Sequence, residues 1–268
     1  MMHIIKELII YPIKGLAGIS VNKALALKAG FEHDRRWMLI DEHQKFVTQR
    51  TQPNMALFVP EIKDGKILIN FKDEVVFFDL EDRIEDNYIQ TKVWSDDAVV
   101  QAVNEDVSEW FSDILRQKVS LVRMKDENAR IHHNSTKNID IHVSLADGYP
   151  YLMAGTESLH HLNTKLTSPI EMNRFRPNII VETKFSHEED RWRNVQIGSA
   201  DFLNIKPCAR CNVITIDQQT AIVNNEPLKV LNTYRKEGNS VLFGTNMMCT
   251  NEGIVSVGDQ LIPIVFIK

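Results

Sequence analysis

The chain predicts a mixed α/β fold dominated by β-strands, and three observations carry that prediction. Short runs rich in isoleucine and valine recur through the first half at close spacing. Turn residues separate them, most sharply at Asp64-Gly65 between Ile62-Lys63 and Lys66-Ile67, where Asp-Gly between alternating strands marks a hairpin. One segment of that half, beginning at Asn104, has a clear helical period instead. Many short strands with turns between them suggest a barrel or a strongly bent sheet.

Taken in order, His3 to Pro12 is isoleucine-rich and reads as a strand, and Arg36 to Thr48 as a second, broken at Asp41-Glu42-His43. Val75 to Leu80, Tyr88 to Val93 and Ala98 to Val103 continue the series after the hairpin. Asn104 then serves as an N-cap. Glu105 and Asp106 suit the positive helix start, and Val107, Trp110, Phe111, Ile114 and Leu115 recur on one face. Asp126 to Asp140 is polar and irregular, and reads as a loop near the junction of two halves.

The second half mixes types. Thr156 is expected to cap a helix to about Lys165, and Pro227 to sit in the first turn of another that includes Leu228, Leu231 and Tyr234. Ile179 to Val181, Phe202 to Ile205 and Val213 to Ile216 read as strands, as do Val241 to Thr250 and Ile254 to Ile267. Ser186 to Asp190 reads as an exposed acidic loop. With no repeat and no Pro/Gly/Ser linker, two intimately packed units are expected, residues 1–122 and 123–268.

Composition excludes several classes. A net charge of -5 gives no general electrostatic case for nucleic acid, although a local basic pocket remains possible. The longest apolar stretch, seven residues from Leu261 to Ile267, falls far short of the ~20 that a membrane span needs. No apolar run follows a basic start, so no secretory signal is expected. Three cysteines, unevenly placed, fit thiols in a reducing cytosol rather than a disulfide framework.

The sharpest local feature is Lys206-Pro207-Cys208-Ala209-Arg210-Cys211. Two thiols beside cations favour the thiolate, the form that binds metals. Cys-x-x-Cys alone leaves simple packing equally open, and neither a second such pair nor His-x-x-x-His completes a zinc site. Lys14, Arg35 and Arg176 lie at strand edges beside aromatic and proline residues, where convergence would make a phosphate site. Each one singly is an ordinary solvated cation. The histidines, adjacent His160 and His161 among them, suggest no shared ligand.

An ordered series of motifs goes further. Tyr11-Pro12-Ile13-Lys14-Gly15, Gly30 and Asp34-Arg35-Arg36-Trp37 resemble the β-barrel domain that precedes MOSC domains. Asn173-Arg174-Phe175-Arg176-Pro177-Asn178-Ile179, Ile197-Gly198, Cys208-Ala209-Arg210-Cys211, Leu242-Phe243-Gly244 and Val257-Gly258-Asp259 resemble the MOSC domain itself. The series is similar, nearly end to end, to the mitochondrial amidoxime-reducing component and its bacterial relatives.

The resemblance implies an N-terminal β-barrel-like domain packed on a MOSC barrel with flanking helices, and a molybdenum cofactor between them. It makes Cys211 the metal's thiolate ligand and the catalytic centre. It places Lys14, Arg35 and Arg176 on the pterin phosphate, with Gly15, Asn178 and Arg210 as further cofactor-binding residues. Relatives commonly carry Ser where Gly15 stands. The implied reaction reduces a small N-hydroxylated substrate, N–OH to N–H plus water. Electrons would come from a separate protein, a ferredoxin or a cytochrome with its reductase, because no Gly-x-Gly-x-x-Gly is present and three cysteines cannot also hold a cluster. The alternatives are sulfur transfer through a Cys211 persulfide, or cofactor binding without turnover.

Overall fold

The computed structural model describes residues 2–84, 88–125, 129–134 and 137–266. Seven strands close into a barrel in the order Tyr151–Gly155, Ile179–Val181, His3–Ile10, Gln260–Phe266, Trp192–Ile197, Ala200–Ala209, Ser240–Asn251, the last pairing back to the first. Only Tyr151–Gly155 and Ile179–Val181 run parallel within it. Closure removes the exposed edges that an open sheet would have to protect. Inside, Ile5, Leu8, Tyr151, Met153, Trp192 and Phe202 pack as one fully buried cluster.

The start of the chain supplies one strand of this barrel and pairs elsewhere with the second half. His3–Ile10 is hydrogen-bonded to Ile179–Val181 and Gln260–Phe266, and Lys23–Leu27 to Gly253–Ser256. The rest of the first half is an open, half-barrel arrangement. Trp37–Asp41, Val119–Arg123, Asp96–Ala102 and Tyr88–Val93 form one sheet, and Val59–Lys63, Lys66–Phe71 and Glu74–Asp79 a meander beside it. The β-dominated class is thus observed, with six strands of the closed barrel from the second half and one, His3–Ile10, from the first.

Local signals explain the clearest elements. Asp64 and Gly65 have φ of +50° and +76°, the pair of positive values that a two-residue hairpin turn demands. In α1, Glu105–Leu115, Asn104 Oδ1 accepts from the Val107 N–H at 3.1 Å. Val107, Phe111 and Leu115 fall on one buried face, each such side chain contributing about 1.5–3 kcal/mol. Ser108 and Ser112 accept from the N–H groups of Leu121 and Val119, tying α1 to the sheet.

Four expectations are corrected. Val213 to Ile216 is not a strand; Asn212–Thr215 is a 3-10 helix that sinks Ile214 among Phe175, Leu231 and Phe243. A four-residue apolar run carries no period, so packing decides its type. The polar stretch 126–140 contains a hairpin, Arg130–Asn134 with Ile139–Val143, whose strand residues are mostly polar (126–128 and 135–136 lie outside the described residues). Thr156 is the first residue of α2, Thr156–Asn163, not its cap, because its hydroxyl accepts from the Thr183 N–H. The acidic segment is a 3-10 helix, Glu188–Arg191, with Glu188 and Glu189 buried; Lys184 and Ser158 satisfy their carboxylates. The third helix, α3, spans Glu226–Tyr234 with Pro227 in its first turn, as expected.

Candidate functional site

A cleft of about 440 Å³ opens between the two halves, a volume suited to a cofactor or drug-sized ligand. Lys14, Gly15, Arg35, Arg176, Asn178, Arg210 and Cys211, distant in sequence, all line it. Convergence, which no single residue could show, is what the fold adds.

The first strand ends at Ile10 and delivers the next residues to the cleft wall. The Lys14 N–H donates to the Trp37 carbonyl at 2.7 Å, and its ammonium donates to Leu145 O at 2.9 Å and Asp147 Oδ1 at 2.5 Å. Burial lowers the Lys14 pKa from its ordinary value, with Asp147 pulling the other way. Burial would raise the Asp147 pKa, but Lys14 and then Arg50 outweigh it and hold the carboxyl well below the usual range. Gly15 has φ +91°, and a Cβ there would meet Met55 Cε at 2.7 Å. Serine at this position would be strained by that backbone, while the Met55 tip could move aside.

Tyr11 is the hinge between the two basic motifs. The guanidinium groups of Arg35 and Arg176 each lie 4.3 Å from its ring centroid. Both arginines adopt left-handed backbone, φ +51° and +55°, which costs energy and so marks positions fixed by their surroundings. Arg35 Nη1 donates to buried Asp34 Oδ2 at 2.6 Å and Asn178 Oδ1 at 2.9 Å. Asn178, 1% exposed, also donates to Ile9 O and accepts from the Leu152 N–H, joining the two motifs through the barrel. Arg176, by contrast, has no hydrogen-bonded carboxylate among the described residues. Burial lowers its pKa to about 10.

The two cleft cysteines differ. The strand that was expected to end at Ile205 runs on to Ala209, so Cys208 lies within it and is half-buried, while Cys211 follows it and is exposed. Arg210 attends Cys208, with Nη1 donating to Cys208 Sγ at 3.0 Å and Nη2 to Phe175 O at 2.6 Å. Its Nε is buried without a partner among the described residues. The cation beside Cys211 is Arg50, whose Nη2 lies 3.4 Å from the sulfur and 3.3 Å from Asp147 Oδ2. Although burial opposes it, the pairing with Cys211 and Asp147 raises the Arg50 pKa further, so its charge is permanent.

Arg50 and Asp147 are functional-looking residues that sequence reasoning missed. Thr48-Gln49-Arg50 and Ala146-Asp147-Gly148 carry no spacing signal; only their approach to Cys211 across the cleft singles them out. Six cations line the cleft, Lys14, Arg35, Arg50, Arg176, Lys206 and Arg210, against one carboxylate, Asp147. Within a molecule of net charge -5, that concentration suits an anionic, phosphate-bearing ligand. An exposed thiol beside a fixed cation suits a soft metal. Among the described residues, no three His, Cys, Asp or Glu side chains form a metal cage, so a metal here would need ligands brought by its own cofactor. The residues present fit a phosphate-bearing group that carries its metal with it.

Comparison with known proteins places the chain in a family. Residues 2–118 match the MOSC N-terminal beta barrel domain and residues 140–262 the MOSC domain. The chain is 29% identical to mitochondrial amidoxime reducing component 2 of Bos taurus, covering 97% of this chain and 83% of that protein. It is also 29% identical to mitochondrial amidoxime-reducing component 1 of Mus musculus, over 96% of this chain and 81% of that one. The molybdenum cofactor sulfurase of Homo sapiens is 28% identical over 98% of this chain, which spans only 32% of the sulfurase. No helix among the described residues is long and apolar enough to cross a membrane. The chain is therefore a MOSC-domain protein with a MOSC N-terminal beta barrel domain, similar to the amidoxime-reducing components along nearly its whole length.

Proposed function

We propose that this protein is a molybdenum-cofactor-dependent reductase of N-hydroxylated compounds, with Cys211 as the thiolate ligand of the metal. One observation carries the proposal: an exposed thiol with a permanent cation 3.4 Å away, at the focus of a six-cation cleft. The cofactor, when bound, supplies a two-electron centre and a Lewis acid for the departing oxygen. Arg176, with Lys14 and Arg35 behind it, binds the phosphate. Gly15 lets the backbone approach closely, and Asn178 and Arg210 fix the surrounding loops.

Conversion of N–OH to N–H and water takes up two electrons and two protons. Asp147 is not the acid, because its carboxyl stays ionised between Lys14 and Arg50. The protons come from solvent through the open cleft, and the electrons from a separate donor protein. A sulfur-transfer role is the competing assignment, since the sulfurases align with 98% of the chain.

Protein made in a host that supplies the cofactor separates the two. Stoichiometric molybdenum, turnover of an N-hydroxylated substrate with a strong artificial reductant, and no oxidation of NADH by the protein alone are expected. Sulfane sulfur on Cys211 without turnover would replace the reductase with a sulfur carrier. Bound pterin with neither would leave a carrier of the cofactor itself.

A further inference from the structure

Trp94 lines the same cleft without contributing charge or a metal ligand. It forms the turn between Tyr88–Val93 and Asp96–Ala102 with φ +60°, a conformation that bulky side chains rarely adopt. Burial does not repay that strain, because Trp94 is 52% exposed. The turn is also clamped. Arg130, 3% exposed, donates to Val93 O and Asp96 Oδ2 on one side, and to Ser144 O and Ala146 O on the other. One buried cation therefore fixes the Trp94 turn against the loop that carries Asp147.

The indole is placed with equal definition. Arg50, the residue beside Cys211 Sγ, stacks 4.6 Å from its ring centroid. The Trp94 side chain also helps hold the Asp147 carboxyl below its usual range. Phe46 meets the ring edge-on, centroids 5.3 Å apart at 73°. Trp94 and Phe46 together line a second hollow, of about 570 Å³, adjoining the first. Trp94 is thus the partition between the thiol-bearing cleft and an aromatic-walled annex.

We infer that Trp94, backed by Phe46, is an aromatic platform for the ring of the substrate, so that the enzyme prefers aryl and heteroaryl N-hydroxylated compounds to aliphatic ones. Strained, exposed and rigidly clamped aromatic surface beside a reactive centre serves stacking better than stability. Arg130 is a positioning residue for it. The inference rests on the reductase assignment for its chemistry, but not for its binding.

The test compares benzamidoxime with acetamidoxime, which differ in the ring, on the molybdenum-loaded protein and its Trp94→Ala and Trp94→Phe variants. Trp94→Ala should lower the benzamidoxime-to-acetamidoxime ratio of kcat/KM about tenfold, mainly through KM, as expected for loss of one stacking partner. Trp94→Phe should recover most of it. Benzamidine, which carries the ring but no N–OH, should quench indole fluorescence in the parent protein and not in Trp94→Phe. An unchanged ratio in Trp94→Ala overturns the inference. So does a fall in molybdenum content that parallels the loss of activity, which would make Trp94 a cofactor contact. If the parent protein reduces neither amidoxime, the reductase assignment fails. The benzamidine titration then decides the platform alone: quenching confined to Trp94 supports it, and none overturns it.

Discussion

The two walls of the cleft carry the same charge and use it differently. On the wall from the first half, every cation is matched: Lys14 and Arg50 by Asp147, Arg35 by Asp34 and Asn178. On the wall from the second half, Arg176 has the Tyr11 ring but no hydrogen-bonded carboxylate among the described residues, whereas Arg210 spends Nη1 and Nη2 on Cys208 and Phe175 and keeps only a buried Nε without a partner among them. Cys211 lies exposed on the same wall. A matched cation has little left to offer a ligand and holds the scaffold, whereas an unmatched one keeps its donors for whatever anion arrives. The first wall therefore shapes the cleft, and Arg176 on the second does most of the binding.

Removing one arginine from each wall sharpens that division and gives the largest expected effects. Arg176→Ala should strip cofactor, at a cost of about 2–5 kcal/mol in binding, with the melting temperature of the cofactor-free protein little changed. Arg35→Ala should lower both occupancy and stability, because it leaves the Asp34 carboxylate, 0% exposed, buried without its cation, a loss of about 3–5 kcal/mol. Molybdenum per protein and thermal unfolding of both variants check this. Wild-type occupancy in Arg176→Ala would reduce that residue to an ordinary cation and erase the distinction between the walls.

A smaller effect is expected where a buried carboxylate has no ion-pair partner among the described residues. Glu189 is fully buried and accepts from the Ser158 hydroxyl at 2.7 and 2.9 Å; burial pushes its pKa from 4.5 to about 7. The folded state then holds a proton that the unfolded chain releases near pH 4.5. This group therefore costs nothing below pH 4.5, costs progressively more as pH rises to about 7, and costs a constant amount above. Glu189→Gln should flatten that part of the stability profile, by up to about 3 kcal/mol at neutral pH. Urea unfolding from pH 4.5 to 8 measures it; an identical slope in both proteins would show that Glu189 is not the titrating group.

What could be seen in advance follows the range of the interactions involved. Helix α1 was legible because its cap, first-turn acids and buried face all lie within twelve residues of Asn104. The Asp64-Gly65 turn was legible because two residues alone determine it. Asn212–Thr215 was misjudged because its conformation is imposed by α3 and Phe243, which lie elsewhere in the chain. The basic motifs could be found on charge and resemblance. Arg50 could not, since it comes within 3.4 Å of a sulfur 161 positions away. Trp94 was unmarked for the same reason: its clamp by Arg130 joins residues up to 53 positions apart in the chain, from Val93 to Ala146.

The assignment of Cys211 rather than Cys208 as the metal's thiolate is the centre of the account, and the sulfur count at molybdenum tests it most directly. X-ray absorption at the molybdenum edge should show one sulfur neighbour from the protein, beyond any that the cofactor brings, in the parent protein and in Cys208→Ser. Cys211→Ser should lose one sulfur neighbour, gain a lighter one, and show no N-hydroxyl reduction, with the fold intact by circular dichroism. Loss of the sulfur neighbour in Cys208→Ser, with Cys211→Ser unchanged and active, would contradict the assignment and move the reactive centre to the half-buried thiol that Arg210 attends.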